Sequence, residues 1–409
     1  MGAIQFVSIW KFIDMKKLIY NHQTNRLSDL DLRMVRSVPP GGNWQNIPVS
    51  IPSKRLEQIR ESGGRTTYYG RLRYEAPSYT ISTCFHRPGN GCYIHPEDGS
   101  YGKKAQHRLI TFREAARLQS FPDNYVFYGS KGSKLKQIGN AVPPLLAKAV
   151  AGGIQGKTFV DLFCGAGGMS LGFLMSNKEL VGAIEYEKYA CETFRRNHKH
   201  ADDLLVEGDI CQESNKMDLY DKVRRNLNGK NLDIIVGGPP CQGFSLAGKR
   251  ILDDPRNALF REYVAIVKHL RPKIFVMENV PGLLSMSGGQ VIDEIIECFN
   301  KIGYELETPI VLKAEEFGVP QKRRRLVMIG HLPKVSVNFP PKPMFGKEVD
   351  KSLPGVTTVY DAISDLPPIY SGLGEELTEF KWRPLSEYQK LLSGEISFEE
   401  FYLRRKARI

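Results

Sequence analysis

The 409-residue sequence contains no Cys-x-x-Cys pair, and its seven cysteines, Cys84, Cys92, Cys164, Cys191, Cys211, Cys241 and Cys298, are odd in number. The spacing offers neither a zinc site nor a disulfide framework, and it fits a reducing compartment. Nothing approaches the roughly 20 apolar residues that cross a bilayer. The mildly apolar start is broken by Lys11, Asp14, Lys16 and Lys17, so a signal peptide is not expected either. Internal repeats and low-complexity tracts are lacking. Acidic residues are the minority: 45 Asp and Glu stand against 57 Lys and Arg, a formal net charge of +12. That field suits a polyanion, nucleic acid first, although a merely basic enzyme would carry it too. These absences lead to an expectation of a cytoplasmic, monomeric protein without metal or membrane partners.

What is present centres on Val236-Gly237-Gly238-Pro239-Pro240-Cys241-Gln242-Gly243-Phe244-Ser245. The apolar run 232–236 reads as a buried strand that Gly and Pro stop abruptly. Cys241 then lies on the loop past the strand's carboxyl end, where open α/β sheets place their chemistry. Most free cysteines are small buried hydrophobes. One just past a Gly-Gly-Pro-Pro turn fits a reactive thiol better.

Strand and helix patterns alternate from Lys157. Strands are expected at 158–163, 180–184, 204–206, 232–236, 273–277 and 326–329, with helices at 168–174, 187–198 and 258–270. This implies an α/β doubly wound, mostly parallel sheet. Before it, Thr111-Phe112-Arg113-Glu114 has the form of a capping box. Residues 139–144 read as a turn, 145–150 as a helix and 152–156 as a flexible linker. Residues 1–75 look irregular. Arg65, Arg71 and Arg73 interleave there with Tyr68, Tyr69 and Tyr74, which suits either a nucleic-acid surface or a solvated loop with packed tyrosines. Beyond Pro340, short helices are expected at 359–366 and 386–392.

The first strand-to-helix turn, Phe163-Cys164-Gly165-Ala166-Gly167-Gly168, lets a ligand approach the backbone beside a helix N-terminus. Its spacing is not GxGxxG, which disfavours a dinucleotide pyrophosphate. Glu185 ends the second strand, suited to ribose hydroxyls, and Asp209 follows the third, suited to an adenine amine. A nucleoside cofactor without pyrophosphate suggests S-adenosylmethionine.

Five blocks together resemble the DNA cytosine-5 methyltransferase family: Phe163-Cys164-Gly165-Ala166-Gly167-Gly168, Gly238-Pro239-Pro240-Cys241-Gln242, Glu278-Asn279-Val280, Gln321-Lys322-Arg323-Arg324-Arg325 and Gly139-Asn140-Ala141-Val142-Pro143. They cover about residues 76–340. The resemblance implies an S-adenosylmethionine-dependent methyltransferase fold with a smaller irregular target-recognition domain. It makes Cys241 the nucleophile toward cytosine C6 and sets Glu278 against ring N3. It puts Arg323 and Arg325 in the active site, where alternation along one strand gives them a common face. It assigns the cofactor to Phe163, Gly165, Gly167, Glu185, Tyr186, Asp209, Pro240 and Asn140, and the flipped base and its duplex to Gln242, Ser245, Arg250 and Val280. Many relatives have Trp where this chain has Tyr186.

Block order departs from the family. Arg113-Glu114-Ala115-Ala116-Arg117-Leu118-Gln119 and Gly139-Asn140 precede the glycine turn instead of ending the chain, as a circular permutation would produce. Residues 341–409 and 1–75 would then form one recognition region, 154–340 the catalytic and cofactor-binding core, and 76–153 the remainder of the catalytic domain. The implied substrate is double-stranded DNA in a prokaryotic modification system. A tRNA cytosine-5 methyltransferase and a catalytically silent DNA-binding regulator are the rivals; regulators of that kind typically lose the cysteine or glutamate.

Overall fold

The β-branched runs assemble into one sheet. A computed structural model of the protein describes residues 18–240, 257–379 and 383–409. It divides into two units, and the one formed by residues 141–317 and 324–342 contains this sheet. Its strands are β1 (Thr158–Leu162), β2 (Glu179–Glu185), β3 (Leu205–Glu207), β4 (Ile234–Gly237), β5 (Ile274–Asn279), β6 (Glu305–Leu306), β7 (Ile310–Lys313) and β8 (Arg324–His331). Across the sheet the order is β3-β2-β1-β4-β5-β8-β6, and β7 also pairs with β8. The first five are parallel. β8 runs antiparallel to β5, and β6 and β7 antiparallel to β8. The doubly wound sheet expected for this fold is therefore present, with a mixed edge. β6 and β7 were not legible in the sequence, being too short to establish a period.

Helices cover both faces, as parallel strands require. On one face Val160, Leu162, Val181, Ile235 and Phe275 join Leu219 and Val223 of α3 (Glu213–Leu227), Tyr263 and Val267 of α4 (Ala258–Leu270), and Ile295 and Phe299 of α5 (Gln290–Lys301) in one buried cluster. On the other, Phe159 meets Phe173 of α2 (Gly168–Met175) at a ring separation of 5.3 Å. α1 (Pro144–Gly152) packs on α2 across Gly172, where an added Cβ would sit 2.4 Å from both Ala147 Cβ and the Pro144 carbonyl oxygen. Overpacking that contact would cost about 1–3 kcal/mol.

Residues 152–156 are not the loose linker their glycines suggested. Asn338 N–H donates to Gly153 O at 2.8 Å, Ile154 bridges Val337, and Lys178 Nζ donates to Ile154 O and Gly156 O, each at 2.9 Å. Glycine here serves close approach: a Cβ on Gly156 would lie 2.6 Å from that of Asp233.

The other unit takes residues up to 140, 318–323 and 343–409. Residues 76–140, expected with the catalytic core, pack here, and only 141–153 joins the sheet. The reason is pairing: Ser78–Tyr79 lies parallel to Gln321–Lys322, and Gly70–Arg71 parallel to Cys92–Ile94. The two variable segments also meet, Leu18–Gln23 running antiparallel to Gly374–Glu379.

Sheets of two strands leave many loop carbonyls without ladder partners, and a buried carbonyl needs a donor. Buried arginines supply several. Arg71 donates to Val38 O, His95 O and Val35 O. Arg113 donates to Tyr20 O, Pro122 O and Tyr125 O. Burial lowers both guanidinium groups to about 10, so they stay charged at neutral pH. Thr111 and Glu114 close the expected capping box of the helix Phe112–Leu118, and Glu114 also binds Arg108 at 2.7 Å. Arg117 joins Asp123 and Asp365. Gly139 and Asn140 end the helix Lys131–Asn140 rather than forming a turn. The alternating arginines and tyrosines resolve by side: Arg71, Tyr69 and Tyr74 are buried, Arg65 and Arg73 exposed. Two helices in the supposedly irregular stretch, Asp29–Arg36 and Lys54–Ser62, each bury only two residues, too few for a periodic signal.

Candidate active site

Strand order reverses between β1 and β4, and in doubly wound sheets ligands bind beyond the carboxyl ends at such a point. Leu162 and Gly237 are register partners at this edge. A Cβ on Gly237 would meet the Leu162 carbonyl oxygen at 2.6 Å and the Tyr263 ring at 3.0 Å, so two loops can leave side by side only with glycine here.

Residues 238–240, which follow β4, are held by the end of β5. Asn279 Nδ2 donates to Pro239 O at 3.0 Å, and its Oδ1 accepts from Val280 N–H at 2.9 Å. An added Cβ on Gly238 would lie 2.9 Å from Glu278 Oε2, so the glutamate flanks the turn that leads toward Cys241. Asn279 was not singled out in the sequence; its place between Glu278 and Val280 was the available signal. Pro240 and Val280 are exposed at this edge. Cys241, Gln242, Ser245 and Arg250 lie outside the described residues.

Glu278 pairs with Arg325, Nε to Oε1 at 2.6 Å. Arg323 does not share that strand. The chain breaks between Gln321–Lys322 and β8, and Arg323 is fully buried in the other unit. There it donates to Ile81 O at 3.0 Å and Gly139 O at 2.8 Å. Its position thus braces the Gly139 block, and it does not share a strand face with Arg325 as their alternation suggested. Asn140, next to that carbonyl, is exposed in the same unit.

At the glycine turn, Phe163, Gly165 and Gly167 have φ of 61°, 54° and 85°. A bulky residue in that region is strained, and such strain gathers at functional sites. Nothing lies within 4 Å of a Cβ built on Gly165, so the backbone there faces open space. Glu185 holds the turn: Oε2 accepts from Gly165 N–H at 2.9 Å, and Oε1 from the N–H groups of Tyr186 at 3.0 Å and Glu187 at 2.9 Å. Burial raises its carboxyl above the ordinary range while these donors pull it back. Three of about four carboxylate acceptor sites are already used, which leaves less for a ribose than two free oxygens would. Tyr186 follows with 73% of its surface exposed. Asp209 is exposed beyond β3, its Oδ1 accepting from Cys211 N–H at 2.9 Å. Beneath the turn lies Asp161, hidden from composition because a lone Asp in an apolar strand carries no period. Burial pushes it up to about 7, against the Ser170 hydroxyl that donates to it at 2.5 Å.

The family model for C-5 cytosine-specific DNA methylase matches residues 7–156 and 157–400, and the chain belongs to that family. It is 40% identical over 218 residues to the Type II methyltransferase M1.HphI of Haemophilus parahaemolyticus, covering 53% of this chain and 54% of that protein. It is 39% identical over 251 residues to M.XorII of Xanthomonas oryzae pv. oryzae, covering 60% and 53%. The chain thus spans about half the length of the curated relatives it matches. Among solved structures, a putative prophage-encoded DNA modification methyltransferase from E. coli is similar at 30% identity, with a TM-score of 0.41 over 52% of this chain and 56% of that one.

Proposed function

We propose that the chain methylates carbon 5 of cytosine in duplex DNA with S-adenosylmethionine as methyl donor, as part of a bacterial modification system. One observation carries this reading: the glycine turn, Glu185, the Gly238-Pro239-Pro240 loop and Glu278 emerge at the carboxyl edge around the reversal point of one sheet. The residues fit the donor. Open backbone at Gly165, the exposed Tyr186 ring and the Asp209 carboxylate suit a nucleoside without pyrophosphate. Phe163, Gly167, Glu185 and Pro240 would line the same place, and Asn140 is a further candidate. When bound, S-adenosylmethionine supplies an electrophilic methyl group.

Cys241 thiolate would add to C6, forming the S–C6 bond and making C5 nucleophilic. Glu278 would stabilise charge at N3, and Arg325 would contact O2, once the pair opens to admit the base. After C5 is alkylated, loss of its proton and elimination of the thiolate restore the ring. The base must leave the duplex to reach this edge; Gln242, Ser245, Arg250 and Val280 are the candidates for receiving it and holding the strands.

A circularly permuted order is part of the reading. It is supported by the meeting of the two family-model segments at residue 156, by the pairing of Leu18–Gln23 with Gly374–Glu379, and by the packing of α1 on α2.

The test is labelled methyl transfer to duplex DNA and to tRNA, with product cytosines mapped by sequencing. Transfer to DNA is expected. Cys241→Ser should lose it and keep DNA binding, and only wild type should form a covalent complex with DNA containing 5-fluorocytosine. Near-normal turnover by Cys241→Ser would overturn the mechanism, and exclusive transfer to tRNA the substrate.

A further inference from the structure

A cavity of about 200 Å³ opens in the unit without the large sheet, and its lining includes none of the residues assigned to the candidate active site. Three of its lining residues are cations, Arg71, Arg73 and Lys322, and no lining residue is a carboxylate. Arg71 forms the floor, its guanidinium held by the carbonyls of Val35, Val38 and His95. Its charge is therefore fixed, while most of its donors are already taken. Arg73 is exposed and lies along Gly41, where a Cβ would come within 2.5 Å of Arg73 Cδ. With φ of +76°, Gly41 is a position that only glycine fills without strain, and its lack of a side chain makes the channel in which Arg73 rests.

The opposite wall is built by strand register. Lys322 and Tyr79 are partners in the parallel pair, and both are exposed. Their inward neighbours, Gln321 and Ser78, are fully buried, so the outward face of this short ladder is set. Tyr79 leaves 52% of its surface open, and Ala76 and Pro77 add an apolar wall. Arg73 and Lys322, both exposed beside an uncovered aromatic face, combine the two elements that bind a nucleic-acid strand: charge for the backbone and a ring for stacking.

We propose that this cavity receives one phosphodiester of the DNA substrate, bound by Arg73 and Lys322 over the fixed charge of Arg71, with the adjoining sugar or base laid on Tyr79. The inference rests on the DNA-methylase reading for the identity of the polyanion. Contacts of this kind fix register on the duplex and carry no sequence information themselves. The cavity would thus hold the recognition unit on the backbone while other groups read bases.

The experiment is fluorescence anisotropy of a labelled duplex with the full chain over a salt series. Each of Arg73→Gln and Lys322→Gln should reduce the slope of log K against log salt by about one. Tyr79→Ala should weaken binding about tenfold at every salt concentration without changing the slope, and Tyr79→Phe should restore it. Lys230→Gln, at an exposed cation just before β4 and thus at the opposite end of its strands, is the control and should keep the wild-type slope. A wild-type slope in either Arg73→Gln or Lys322→Gln, or undiminished affinity in Tyr79→Ala, overturns the assignment while leaving the methylase reading intact. Absence of salt-dependent duplex binding by the wild type overturns both.

Discussion

Glu278 and Arg325 form a diagonal ion pair across antiparallel strands, Oε1 and Nε being 2.6 Å apart. Glu278 is the register partner of Val327 on β8, which puts Arg325, two residues earlier, on the same face. Diagonal neighbours lie about 7–8 Å apart at the backbone, within reach of long side chains. Both groups are partly buried, so their attraction is less screened than that of a surface pair. The catalytic carboxylate proposed here is thus held in position by a group proposed to meet the same base.

Glu278→Gln should lower the single-turnover methylation rate by about 10²–10³-fold, the usual scale for removing one electrostatic stabiliser of a transition state. Equilibrium DNA affinity should change little. Rapid-quench measurement of methyl transfer decides it: a rate within a fewfold of wild type would show that Glu278 does not act on the base.

Glu185→Ala should weaken S-adenosylmethionine binding by about 1–3 kcal/mol, the range for lost charge-assisted hydrogen bonds. Part of that loss should come from the glycine turn, whose Gly165 N–H would have no acceptor there. Calorimetry on the free protein measures it, and unchanged cofactor affinity would remove Glu185 from the site.

Asp161 should make stability pH-dependent. Its folded value, about 7, lies above the ordinary value of an exposed Asp, about 3.9, so the folded state binds more protons between these limits. Stability from this group should therefore fall as pH rises from about 4 to 7 and stay level above, a change on the order of 4 kcal/mol. The Asp161→Asn variant should lack this slope, apart from any constant offset. Urea unfolding at several pH values compares the two; parallel profiles would mean that Asp161 does not carry the proton.

A relinked chain should keep its function. Joining Ile409 to Met1 through a flexible peptide and opening the backbone between Gly152 and Gly153 leaves the Gly153–Asn338 bond and the Ile154–Val337 bridge in place. Methylation should map to the same DNA site as with the natural order. A folded product that is inactive or changes its site would show that residues 341–409 and 1–75 do not act as one recognition region.

The sequence by itself determined the parallel strands and the chemistry of their loops. Buried strands need uninterrupted β-branched runs, and loops that admit a ligand need glycine and proline at fixed places; both requirements act locally and leave a local trace. Thr158–Leu162 and Ile234–Gly237 were legible for that reason, and the helix Ala258–Leu270 by its amphipathic period. Tertiary structure alone decided which side chains have no room to act elsewhere. Arg71 and Arg323 look like their exposed neighbours Arg73 and Arg324 in a list of residues, yet carbonyls distant in sequence claim them. Likewise Gly374-Glu375-Glu376-Leu377-Thr378-Glu379 has no strand pattern and becomes a strand through its antiparallel partner, Leu18–Gln23. Hydrogen-bond demand from loops is set by where the chain returns on itself, and that is a property of the whole fold rather than of any window of sequence.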